Sequence, residues 1–265
     1  MKIGFVIPSR LKSSRLKKKI MLNLSGRSAL EWAILRAKAS KSIDEVIVST
    51  SYLNIDEPIT KICIDNNIRY FQGDPDDVLK RLKDTAVYFD LDYIVNITPD
   101  NTLFSMNMID IMVSEIKENP SGDFFKFKDP VLGTGIYALK REALQTACEF
   151  KKLHDTEIWG PIFQSGYYNN IDLEIPEIFK ADYRLTMDTP DDYVMLSKLY
   201  SMLRISENNL VELHEVIQFL NHHKEIAEIN GSIEQRSLNN EIIERIRRDY
   251  QDNEDEFYRI KKMYY

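Results

Sequence analysis

The first hundred residues alternate short apolar runs with longer stretches in which apolar side chains recur at helical spacing. Ile3 to Ile7 is apolar almost throughout, and Glu45 to Ser49 (Glu-Val-Ile-Val-Ser) repeats the pattern. Such runs predict strands buried on both faces, the kind found in parallel sheets. Ile68 to Phe71 and Tyr93 to Ile97 predict two more. Between them, Ser28 to Ala39 places Leu30, Ala33, Ile34 and Ala37 on one helical face, behind Ser28 as a cap. A second helix, Pro58 to Asn66, opens on proline, and a third, Asp76 to Phe89, turns Val78, Leu79, Leu82 and Ala86 inward. Strand-helix alternation at this spacing predicts an α/β fold, a mostly parallel sheet with helices on both faces. Ligands of such sheets sit beyond the carboxyl ends of the strands.

The middle of the chain is less regular. Gly133 to Leu139 and Asn170 to Ile175 predict strands that extend the sheet or form a small antiparallel layer. Tyr183 to Met187 reads as a short strand, and Pro190 to Leu203 as a helix. From Asn208 onward the pattern is helical, with Leu210 to Leu220 and then one long helix from Asn239 to about Tyr258. The stretch from Ile233 to Asn240 reads as a polar joint. This divides the chain into a main α/β domain, 1–205, and a C-terminal helical extension, 206–265.

Composition narrows the function classes. Of 265 residues, 43% are hydrophobic and 29% charged, an ordinary globular balance that excludes a disordered chain. The net charge of -7 argues against a nucleic-acid partner. No stretch approaches the ~20 apolar residues of a membrane span, so the expected compartment is the cytoplasm. The two cysteines, Cys63 and Cys148, form no pair motif and read as buried thiols. The four histidines show neither triad nor metal spacing, and no nucleophile motif points to a covalent mechanism.

Charge becomes informative where it is concentrated. Six of the ten residues from Arg10 to Lys19 are Lys or Arg, directly after the first strand of an acidic protein. Pro8, Ser9, Arg10, Ser13, Ser14, Arg15 and Lys19 together read as a polyphosphate clamp: cations neutralise phosphate, and the serines add hydroxyl and backbone donors. The loop lacks the glycines of a Walker motif. A solvated basic turn is the plainer alternative, but its place at a strand's carboxyl end favours anion binding. Two carboxylates lie at other strand ends. Asp100 closes Tyr93 to Asp100, and Asp188 closes Arg184 to Asp188. Taken alone, each is as well read as a turn or cap residue; converging, the pair can hold Mg²⁺ against phosphates, with water as most of its other ligands. The Asp90-Leu91-Asp92 motif precedes its strand instead of following it, and reads as a loop.

These residues resemble the cytidylyltransferase superfamily that activates acidic sugars with CTP, including the 3-deoxy-manno-octulosonate, acylneuraminate and spore-coat polysaccharide branches. The family's P-A-R-x-x-S-x-R-L-P-x-K appears as Pro8-Ser9-Arg10, Ser13, Arg15-Leu16, Lys17 and Lys19. The spore-coat branch fits best: Gly73 to Arg81 resembles G-x-x-x-D-V-L-x-R, Ile97 to Asn101 resembles I-T-x-D-x-P, and Arg184 to Asp192 resembles R-L-T-V-D-T-P-E-D. Departures are Lys17-Lys18-Lys19 in place of L-P-G-K, Thr102 in place of proline, and Pro99 at a commonly small position. The resemblance implies a Rossmann-like nucleotidyltransferase (glycosyltransferase-A-like) fold. It also implies a magnesium-dependent enzyme that joins CTP to a small acidic acceptor and releases pyrophosphate, and a homodimer whose late helices, Leu210 to Leu220 above all, form the interface. Arg10, Arg15 and Lys19 are then the catalytic cations, Asp100 and Asp188 the metal ligands, and Gly73 and Arg81 the base-and-ribose side. The acceptor pocket is expected from 133–137 and 155–159, with Gly135, Tyr137, Glu157 and Trp159 as its candidates. A nucleotide-sugar glycosyltransferase of the same fold and an inactive nucleotide-binding homologue are the alternatives.

Overall fold

The computed structural model describes residues 1–13, 15–153, 156, 159–235 and 240–265. The apolar run Ile3–Pro8 forms β1, buried at every position. A hairpin of β2 (Asn23–Leu24) and β3 (Arg27–Ser28) leads into α1 (Ala29–Ala39). Ser28 caps α1 and, with Glu31, closes a capping box. There follow β4 (Glu45–Ser51), α2 (Glu57–Asp65), β5 (Arg69–Gly73), α3 (Val78–Tyr88) and β6 (Tyr93–Asn96). The middle holds α4 (Met106–Glu118), β7 (Phe124–Phe127), β8 (Tyr137–Lys140), α5 (Arg141–Phe150), α6 (Gly160–Phe163) and β9 (Asn170–Leu173). Helices α7 (Pro190–Met202), α8 (Leu213–His222), α9 (Lys224–Ala227), α10 (Asn240–Asp252) and α11 (Glu254–Tyr264) complete the chain.

Seven strands form one sheet in the order β5-β4-β1-β6-β8-β7-β9. β5, β4, β1 and β6 run parallel, β8 is antiparallel to both its neighbours, and β7 and β9 are again parallel. The predicted mostly parallel α/β sheet with helices on both faces is therefore present. Strand order decides where a ligand goes. From β1 the chain moves outward through β4 to β5, then returns to the other side of β1 as β6. That reversal opens a crevice beyond the carboxyl ends of β1 and β6. The basic loop follows the first of these ends, and Asp100 follows the second.

Alternation along β1 builds two cores. Ile3, Phe5 and Ile7 join the helices α1, α4, α7 and α8 on one face. Val6 faces the opposite core with Leu79 and Leu82 of α3 and Leu144 of α5, and α6, α10 and α11 close that layer. The residues after 205 thus divide between the faces. Helices α10 and α11 pack their aromatic residues Tyr250 and Phe257 against Phe150 of α5.

Several sequence expectations change. The strand expected over Gly133 to Leu139 begins only at Tyr137, because Gly133 adopts φ 93° in a bend. Tyr183 to Met187 makes a single bridge, Arg184 to Leu132, instead of a strand. The long C-terminal helix is two helices broken at Asn253, and residue 239 lies outside the described residues. The apolar face of α8, including Leu213, Val216 and Leu220, is buried in its own chain's core, so it offers no dimer surface. Cys63 is buried as expected, while Cys148 is partly exposed. Burial pushes both thiols up to about 12.

Candidate active site

The crevice at the switch point contains a cavity of about 600 Å³. Pro8, Arg10, Lys19, Arg81, Asp100, Gly135, Tyr137, Trp159 and Asp188, all picked out by sequence, line it. Local bonding explains why they converge. The loop after β1 is pinned by Asp56, which accepts from the Leu11 amide at 2.7 Å and from the Ser51 hydroxyl. Asp100 is fixed against the second carboxylate segment because the Met187 amide donates to its carbonyl at 3.0 Å.

Lys19 joins the carboxylates. Its ammonium donates to Asp100 and, at 2.7 Å, to Asp188, which also pairs with Arg15 at 3.0 Å. Burial alone would lower the lysine's pKa, but Asp100 and Asp188 together outweigh it and hold the group above its ordinary 10.5. The ammonium therefore stays charged at neutral pH. Its contribution to stability is complete below 10.5 and disappears only as pH climbs through the raised value.

Oxygen Oδ1 of Asp100 is buried with no hydrogen-bond partner. An unmatched buried carboxylate oxygen costs free energy unless a donor or cation reaches it. No cluster of three His, Cys, Asp or Glu ligands occurs among the described residues. Two carboxylates with one free buried oxygen nonetheless suit a hard cation that takes its remaining ligands from phosphate and water.

Arg10 and Lys12 extend from the loop to Asp76, at 3.1 and 3.3 Å. Arg81 is almost fully buried, with Nη1 donating to the Asp74 carbonyl at 2.6 Å and Nε without a partner. Burial, reinforced by nearby Arg10, pulls its pKa down to about 10 against the pull of Asp56, Asp74 and Asp77. Such a guanidinium is short of hydrogen-bond acceptors, the condition in which an oxygen of a bound molecule could pair with it.

The other wall is aromatic. Thr156 accepts from the Leu79 amide and donates to Asp77, both at 2.8 Å, and this fastens the chain just before Trp159 to the start of α3. Trp159 then meets Tyr137 edge-on at 5.7 Å, and Phe124 stacks on Tyr137 at 5.9 Å. The bend 130–135 closes this wall because Gly133 lies directly on the backbone of Thr186. A Cβ at position 133 would come within 2.4 Å of the Thr186 nitrogen. Gly133→Ala is therefore expected to lower the unfolding free energy by about 2 kcal/mol or more. A fall in the urea midpoint at unchanged slope is the measurement.

Not every predicted residue reaches the cavity. Ser9 is turned inward, its hydroxyl donating to the Ile7 carbonyl and its amide to Ser49. Gly73 packs against Arg81 instead of lining the space. Arg15 and Ser13 are not among the lining residues, Arg15 meeting the site only through its pair with Asp188, and Ser14 and Glu157 lie outside the described residues. Sequence reasoning missed Asn96, Gln164 and Gln235, three amide-bearing residues that line the cavity. Asn96 left a signal, as a polar residue closing an apolar strand. The two glutamines left none.

The profile of the cytidylyltransferase family matches residues 5–157, more than half of the chain. The chain belongs to the cytidylyltransferase family. This nucleotidyltransferase carries the basic loop, Arg81 and Asp100 inside the matched region, while Asp188 lies beyond it. Membership decides against the sugar-transfer alternative. The cytidylyltransferase is 32% identical over 244 residues to an uncharacterized protein of Methanocaldococcus jannaschii, covering 89% of this chain and 98% of the other. It is 26% identical over 234 residues to a spore coat polysaccharide biosynthesis protein of Bacillus subtilis, covering 85% and 96%. That end-to-end likeness bears out the spore-coat branch. In fold it is similar to a solved cytidylyltransferase from Leptospira borgpetersenii, with a TM-score of 0.80 at 24% identity, over 89% of this chain and 100% of the other.

Proposed function

We propose that this cytidylyltransferase transfers a cytidylyl group from CTP to a small acidic acceptor, an acidic sugar or a phosphate- or phosphonate-type compound, with release of pyrophosphate. One observation carries the reading. In a chain of net charge -7, four cations and two carboxylates line one cavity at the topological switch point.

In this reading Arg10, Arg15 and Lys19 neutralise the triphosphate and the departing pyrophosphate, while the acceptor oxygen attacks the α-phosphorus in line. The work is positioning and electrostatics, in a crevice where fixed cations face the charge that develops. Asp100 and Asp188 are the residues that would hold Mg²⁺, which supplies Lewis-acid polarisation of phosphate oxygens when bound. The buried guanidinium of Arg81 serves the base-and-ribose side. Tyr137, Trp159 and Gly135 form the acceptor wall. Residues 1–205 hold the cations and carboxylates of this chemistry, and 206–265 form a helical extension that buttresses them and brings Gln235 to the cavity.

A role in surface polysaccharide synthesis, a cytoplasmic location and a homodimer belong to the same proposal. Spore-coat likeness supports the first. No described helix is long and apolar enough to cross a membrane, which accords with the second. With the α8 face buried, any dimer uses another surface.

The test is to incubate the protein with CTP, Mg²⁺ and, in turn, 3-deoxy-manno-octulosonate, N-acetylneuraminate, glycerol 3-phosphate and methylphosphonate. Pyrophosphate release that requires both CTP and an acceptor is the expected result. Release of a nucleoside diphosphate from a sugar donor, with none from CTP, would overturn it.

A further inference from the structure

Gln235 stands in the stretch that the sequence pattern marks only as a polar joint. It is exposed, and it lines the cavity of the candidate active site. Its carbonyl oxygen Oε1 accepts from Nη1 of Arg184 at 2.9 Å. A guanidinium has only donors, so it holds the carbonyl end of the amide and leaves the NH₂ end facing away. No described residue accepts from that NH₂ group.

Arg184 is itself immobilised. Its Nε and Nη2 form a two-point pair with Asp192 at 2.8 and 3.0 Å, and both side chains are buried. Asp192 also accepts from the Asp188 and Thr189 amides, both at 2.9 Å, and from Asn230 at 2.8 Å. The same guanidinium lies 3.5 Å from Asp188. Gln235 is thus locked to the group that flanks a carboxylate of the reacting centre, and its amide protons are the part left to donate.

The wall on which it sits identifies its partner. Arg184 bridges to Leu132, and this joins Gln235 to the bend 130–135 that leads to Tyr137. Arg10, Lys12 and Arg81 gather instead around Asp76 and the start of α3, while Arg15 and Lys19 of the same loop pair with Asp188 between the two sides. We infer that Gln235 reads the acceptor, donating a hydrogen bond to one of its hydroxyl, carboxylate or phosphate oxygens, and leaves the nucleotide to the basic loop. This rests on the cytidylyl-transfer reading above.

Two variants of the full chain separate the donor from the tether. Gln235→Glu keeps an acceptor for Arg184 and loses the NH₂ donor; Gln235→Met loses both. With any of the four acceptors named above that supports turnover, both variants are expected to raise the acceptor KM by roughly fivefold or more, as for one lost hydrogen bond. The KM for CTP should stay within about twofold of the unsubstituted protein. An acceptor KM unchanged in Gln235→Glu, whatever Gln235→Met does, would overturn the inference and leave cytidylyl transfer standing. A direct readout is the Gln235 side-chain amide signal in a ¹⁵N spectrum, titrated with the same four compounds. A shift in that signal without any pyrophosphate release would support the acceptor contact and sink the transfer reading. Neither release nor shift with any of the four would overturn both.

Discussion

Asp100→Asn is expected to lower CTP-dependent pyrophosphate release by about a hundredfold to a thousandfold, the scale of losing a fixed electrostatic group at a reacting centre. The substitution removes one negative charge from the pair that Lys19 bridges and leaves Asp188 to bind a cation alone. Structure survives the change because the contact that fixes this segment is backbone, Met187 amide to Asp100 carbonyl at 3.0 Å. The thermal midpoint without metal should therefore remain near that of the unsubstituted protein. The separation matters: activity and the rise in midpoint on adding Mg²⁺ together with CTP should both be lost, while the metal-free midpoint stays. Turnover near the starting level would remove Asp100 from the cation site.

Asp192→Ala should act on stability instead, by about 3–5 kcal/mol, as when one partner of a buried ion pair is removed. Asp192 is fully buried and meets two donors of Arg184, one of Asn230 and the amides of Asp188 and Thr189. It also completes the capping box that opens α7. Without it, a guanidinium at 6% exposure loses its two-point partner and keeps only Asp188, at 3.5 Å and already shared with Lys19 and Arg15. The double replacement of Arg184 and Asp192 by apolar residues should cost less than the sum of the single changes. Burial tends to raise the carboxyl's pKa, but the bonds from Arg184, Asn230 and the Asp188 amide outweigh it and hold it below its ordinary 3.8. Its contribution is thus complete above that value and is lost as pH falls through the lower, folded one. Urea unfolding near neutrality and in acid measures both effects.

Much of the first half was legible because its strands are buried on both faces. Ile3–Pro8 and Glu45–Ser51 carry almost unbroken apolar runs, and Ser28 with Glu31 marks a helix start. Asp100 was legible for the same reason, since it follows the buried strand Tyr93–Asn96, whereas Asp188 was legible from its motif and not from a strand. What stayed hidden depends on pairing. β7, Phe-Phe-Lys-Phe, is too short to show a period and owes its place to strands on either side. The break at Asn253 leaves helical spacing intact on both sides, so the periodicity runs straight through it. Arg184 and Asp192 read as part of a motif, yet the role of Gln235 arises only when a distant segment folds back onto them.

The bridge of Lys19 between Asp100 and Asp188 has a kinetic corollary. A free divalent ion entering this crevice must compete with a cation that the chain itself supplies. A metal already riding on a triphosphate brings the ammonium an alternative anion, so the lysine can let go of the carboxylates without losing a partner. Metal and nucleotide are then expected to arrive as one body, and the resting protein to be nearly indifferent to magnesium until CTP is present.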